Sequence, residues 1–149
     1  MAAEPAVVMD EVLPEDAWSQ LAATPGAVLI DVRAQEERSA SGIPAVDQID
    51  RNLWAIEWPK DTCNKSVSWF LADVVRKIKQ TKSERLFFLS CSGGRARTAA
   101  QAVAAVTGDL GQRLHVTHIR EGFEGLTQAH GRTSSADGWK GADLPWRPC

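Results

Sequence analysis

The stretch Leu86–Val103, LFFLSCSGGRARTAAQAV, constrains this chain more than any other. It opens on a short apolar run, Leu86-Phe87-Phe88-Leu89, which predicts a buried strand. It closes on good helix formers, from Thr98 through Ala105. Between them lies Ser90-Cys91-Ser92-Gly93-Gly94-Arg95-Ala96-Arg97. The glycines allow a tight turn that points backbone N–H groups inward. The start of the helix adds unpaired N–H groups and the positive end of its dipole. The result is an anion-sized cradle with the Cys91 sulfur at its base. That field is expected to lower the Cys91 pKa toward the nucleophilic thiolate. Arg95 and Arg97 add positive charge where an oxyanion would sit. The plain alternative is a buried cysteine before an ordinary turn.

The rest of the chain predicts alternating strands and helices. Ala6–Met9 reads as a first strand, and Pro14–Ala22 as a helix with Glu15 and Asp16 in its first turn. Ala27–Ile30 is a second buried strand running into Asp31-Val32-Arg33. Asp31 is read mainly as a structural hydrogen-bonding residue. Arg33 is either a substrate-site residue or half of an internal salt bridge. Ala34–Ser41 forms a short polar helix or turn, and Gly42-Ile43-Pro44 a turn. Arg51–Trp58 suggests an edge strand that Pro59 stops. Ser66–Gln80 is the clearest helix, with Val67, Phe70, Leu71, Val74, Val75 and Ile78 on one face. Leu114–Ile119 is a further strand, and neither His115 nor His118 is assigned chemistry. The glycines of Arg120-Glu121-Gly122-Phe123-Glu124-Gly125 can bend the chain beside the Cys91 loop. Gln128–Asp137 is expected to be polar and exposed, and the tryptophans after it to close a core edge. This alternation implies an α/β fold with a mostly parallel central sheet and helices on both faces.

Composition serves mainly to exclude. A chain of 149 residues suits one domain, residues 1–149, with its core at about 6–146. A net charge of −2 gives no global argument for nucleic acid or membrane partners. No run is apolar enough for a membrane span, and the first residues lack the pattern of a secretory signal. The three cysteines, Cys63, Cys91 and Cys149, suggest neither a disulfide framework nor a zinc site, and point to a reducing cytoplasm. Cys63 sits in a polar loop and reads as incidental. No cofactor or metal is implied. A surface rich in the six tryptophans could support a homodimer.

Three segments in order resemble the rhodanese family. They are Leu29–Arg33 with Gly42-Ile43-Pro44, the Cys91 loop, and Glu121–Gly125 with Gly138-Trp139-Lys140 and Leu144-Pro145-Trp146. The last group is similar to the ending of single-domain bacterial members. The resemblance runs from about Val12 to Trp146 and implies a rhodanese-like three-layer fold. It also implies a sulfurtransferase. Cys91 would attack the outer sulfur of thiosulfate or another small anionic donor and carry it as a persulfide. A thiol or cyanide acceptor would then remove it. By that resemblance Ser92, Gly93, Gly94, Arg95, Ala96 and Arg97 form the substrate loop, with Arg33 near the mouth and Asp31 as support.

The loop itself departs from the family pattern of Cys, Arg, Ser or Lys, Gly, any residue, Arg, Ser. Aligned without a gap, Ser90 takes the nucleophile position and Arg95 matches the family arginine. The domain would then lack its usual nucleophile. With one inserted residue, Cys91 is the nucleophile and Arg97-Thr98 match the arginine and serine. Cysteine, five residues and arginine is also the spacing of cysteine-dependent phosphatases. Phosphatase or arsenate-reductase-like chemistry and a catalytically inactive binding domain are therefore the alternatives. The phosphatase alternative lacks an obvious general acid in the loop and the histidine that often precedes the phosphatase cysteine.

Overall fold

The computed structural model describes residues 6–126 and 137–149. Five strands form one parallel sheet in the order β1-β6-β5-β2-β4. They are β1 (Val7–Val12), β2 (Val28–Asp31), β4 (Asn52–Ala55), β5 (Arg85–Leu89) and β6 (Leu114–Ile119). Among the described residues the helices α1 (Pro14–Ala23), α2 (Gln35–Ser41), α3 (Asn64–Thr81) and α4 (Gly94–Val106) accompany them, with a short turn α5 (Gly138–Gly141) near the end. The expected α/β layering is present.

Strand alternation explains the layers. The even-numbered Val28, Ile30, Leu86 and Phe88 pack against α3 and α4. The odd-numbered Leu29, Phe87, Leu89 and Ile119 pack against α1, Phe123 and Trp139. α3 turns Phe70, Val74 and Ile78 into the first layer, each burial worth roughly 1.5–3 kcal/mol. Because both faces of the sheet are covered, β2 is apolar up to Asp31 and β5 is apolar after Arg85. β1 lies at an edge, and four of its six residues are exposed.

Two readings of the sequence change. Ile43–Pro44 is not just a turn: as β3 it pairs antiparallel with β7 (Trp146–Arg147) in a second, two-stranded sheet. The expected strand Arg51–Trp58 is only Asn52–Ala55, although Ile56 and Trp58 N–H continue to Asp31 and Val32 carbonyls. The closing tryptophans divide. Trp139 is fully buried, whereas Trp146 is 44% exposed and lies edge-on to Phe123. Apart from Asp137, the polar stretch Gln128–Asp137 falls outside the described residues.

Parallel strands place their carboxyl ends together, and the candidate site lies just beyond them. Asp31, Leu89 and Ile119 end β2, β5 and β6 there. The 120–125 segment then crosses under the Cys91 loop. Phe123 N–H donates to Ser90 O at 2.9 Å, and Glu124 N–H to Cys91 O at 3.0 Å.

Candidate active-site loop

Ser90 occupies the centre of the loop. Its Oγ accepts the Gly93 N–H and the Ala96 N–H, each at 3.1 Å. The local sequence explains this. α4 begins after Gly93, which stands at φ 110° and has no side chain to cap the helix. Ser90, a residue 1% exposed, supplies the missing oxygen from the end of β5, and the loop between wraps around its hydroxyl. Cys91 comes next and sits half-buried at the mouth.

The charges around the mouth are largely paired inside the protein. Asp31 accepts Arg33 Nε and, at 2.7 Å, Arg33 Nη2, with both side chains fully buried. Arg33 Nη2 also donates to Gly42 O, and the guanidinium lies 4.2 Å from the Phe123 ring centre. Arg33 Nη1 is buried without a hydrogen-bond partner. Arg95 reaches across to α2 and grips Glu37 with both nitrogens, at 2.6 and 2.7 Å. Glu37 also accepts the Ala34 N–H at the start of α2. Lys140 pairs with Glu124 at 3.3 Å.

The electrostatics follow from that pairing. The Arg95 hydrogen bonds hold the Glu37 carboxyl below the usual range, against its burial. Burial pushes the Cys91 thiol up; Glu37 and Glu124 push the same way, and Arg95 and Arg33 only partly oppose them. The expected lowering of the Cys91 pKa is thereby overturned.

The predicted loop residues therefore separate. Gly93 and Ala96 donate to the Ser90 hydroxyl, Arg95 stands by Cys91 at the mouth, and Ser92 and Gly94 are the part-buried and exposed loop residues between them. Arg97 does not join them. It is exposed and lines an open groove of about 470 Å³ with Met9, Asp10, Glu11, Gln101 and His118. Cys91, five residues and Arg97 are thus not brought into one cradle. His118 Nε2 lies 3.5 Å from Glu11, and His115 Nε2 lies 3.1 Å from Asp10, both on the β1 side of the sheet. Cys63 precedes α3 and is exposed, with Sγ 3.3 Å from Ser66 Oγ. Among the described residues no three His, Cys, Asp or Glu side chains gather as a metal site. No described helix is long and apolar enough to cross a membrane.

No protein-family model matches the sequence. An RP600 homolog of Rickettsia rickettsii is 32% identical over 132 residues, covering 88% of this chain and 91% of that protein. The chain belongs to the RP600 family. Rv0390 of Mycobacterium tuberculosis carries the likeness into a crystal structure: 31% identity, TM-score 0.73, 95% of this chain and 99% of that one. Neither relative's name carries an activity, so membership of the RP600 family does not bring a reaction with it. A more distant solved structure, an As-Sb reductase from Leishmania major, covers 84% of this chain and 79% of its own at TM-score 0.50. At 19% identity the likeness is one of fold.

Ser90 was one of two occupants of the nucleophile position that the sequence allowed, whereas Glu37 was not singled out there. The signal available for Glu37 was local: it stands three residues after Ala34 at the start of a helix, placed to accept the Ala34 N–H.

Proposed function

We propose that this RP600-family chain is a rhodanese-like domain that binds a small anion, or the anionic end of a partner, at the 90–95 loop without covalent catalysis. One observation carries the reading: the hydroxyl of Ser90, not the thiol of Cys91, takes the loop N–H groups. A persulfide cycle needs a thiolate where those donors converge, because they stabilise its charge and that of the terminal sulfur. Cys91 stands outside that centre, and its environment favours the protonated thiol. The rhodanese resemblance is supported by the way Asp31-Val32-Arg33, the loop and the 121–125 segment meet, with Phe123 between Arg33 and the Ser90 carbonyl.

Phosphatase or arsenate-reductase-like chemistry draws support from the fold shared with the Leishmania reductase and from a half-buried thiol near two guanidinium groups. It lacks the arginine it needs, because Arg97 faces the outer groove. A single sample decides between the readings. The protein is incubated with thiosulfate, weighed intact, then given cyanide, and separate portions receive an aryl phosphate and arsenate with a thiol reductant. The expected result is no added sulfur, no thiocyanate and no turnover above that of Cys91→Ala. A sulfur gained at Cys91 and discharged by cyanide would restore the sulfurtransferase reading. Cys91-dependent release of phosphate, or arsenite production, would restore the other.

A further inference from the structure

The Arg95 fork already holds an anion, and that anion belongs to the chain. A carboxylate bound by two parallel N–H donors presents the geometry that an arginine offers to an external oxyanion. Glu37 meets Arg95 in this way and is fixed from behind by the Ala34 N–H. The pair is about one-third exposed on each side, so solvent and a solute can reach it. Beside it, Arg33 is buried to 1% exposure with Nη1 lacking an acceptor. A polar donor left so is ordinarily matched by some partner, and a ligand anion is one chemistry that satisfies it. The mouth thus has one arginine occupied by an internal carboxylate and one with a buried donor to spare.

We propose that Glu37 is an internal latch on the loop: it occupies the Arg95 fork that an external oxyanion requires, and an oxyanion binds by displacing it. This rests on the reading of the loop as an anion-binding site. The latch has a second effect that does not rest on that reading. The charged groups that face Cys91 are Glu37 from α2, Glu124 from the segment after β6, Arg95 from α4 and Arg33 from the end of β2. Lys140 of α5 engages Glu124, and Asp31 engages Arg33. Of the two carboxylates that face the thiol, Glu37 is the one that also holds a guanidinium beside it. Neutralising it removes a repulsion from the thiolate and releases Arg95 at the same time.

The test uses the whole chain with Glu37→Gln, Glu37→Asp and Arg95→Gln, each checked for folding by circular dichroism. The probes are thiosulfate, inorganic phosphate and sulfate, titrated calorimetrically. In parallel, the pH dependence of Cys91 alkylation by iodoacetamide is followed by peptide mass spectrometry, which counts Cys63 and Cys149 separately. Glu37→Gln is expected to bind at least one probe about tenfold more tightly than the parent. Its Cys91 alkylation at neutral pH should be several-fold faster, with a midpoint at lower pH; Glu37→Asp, one methylene shorter, should fall between. Arg95→Gln should bind more weakly than the parent and raise the midpoint. If parent and Glu37→Gln bind alike and share one alkylation profile, the latch is wrong. If no variant binds any probe while the profile still shifts, the latch on the thiol stands and the anion-binding reading fails.

Discussion

Asp31→Ala is expected to lose about 3–5 kcal/mol of stability, enough to leave much of the protein unfolded at physiological temperature. Asp31 and Arg33 are both buried at the end of β2, so truncating the carboxylate strands a guanidinium that cannot reach water. The Arg33 backbone N–H loses a partner as well, because Asp31 Oδ1 accepts it at 3.1 Å. Replacing both residues by apolar ones of similar shape should cost much less, since the desolvation of two charges disappears together. Urea unfolding of the single and double variants separates these outcomes. A loss below about 1 kcal/mol for Asp31→Ala would mean that water reaches Arg33 in solution.

The second large effect lies under the loop. Gly122 stands at φ 68°, and a Cβ there would come within 2.4 Å of both the Ser90 and Cys91 carbonyl oxygens. Those oxygens belong to backbone, and they accept the Phe123 and Glu124 N–H groups, so the loop cannot yield without breaking these bonds. Gly122→Ala is expected to cost more than the roughly 1–3 kcal/mol of left-handed strain alone. It should also displace Ser90 from its two donors. Gly26→Ala provides the control, because its φ of 83° carries the same strain with nothing within 4 Å of the added carbon. Thermal unfolding should place Gly122→Ala well below Gly26→Ala. Equal midpoints would show that the contact beneath the loop is not tight.

The buried elements were legible in the sequence because their signals are local. The apolar runs of β2 and β5 and the 3.6-residue pattern of α3 need no knowledge of their neighbours. The pairing of β3 with β7 was not legible: two-residue strands carry no periodicity, and their partner lies about a hundred residues away. Within the loop, the choice between Ser90 and Cys91 is a matter of one residue of register. Neighbours at a strand end point to opposite sides, so the same letters serve either alignment. The roles of Arg95 and Arg97 followed from the helix start. With α4 beginning at Gly94 instead of Thr98, residues two apart are separated by about 200° around the axis. Arg95 facing the mouth therefore sends Arg97 to the outer groove. Glu37 was hidden for another reason: it looks like an ordinary solvated helix residue until α2 and α4 are placed side by side.

The central claim is that Ser90 holds the position where a nucleophile would work. The most direct test is to put one there. Ser90→Cys gives the Gly93 and Ala96 N–H groups a sulfur instead of an oxygen, at a helix N-terminus that lowers thiol pKa values. The weaker thiol acceptor should cost about 1 kcal/mol in helix capping. After exposure to thiosulfate, parent and Ser90→Cys are weighed intact and digested to locate any added sulfur. One sulfur atom is expected on residue 90 of the variant, discharged by cyanide, and none on the parent. Sulfur on Cys91 of the parent, or none on either protein, would contradict the central claim.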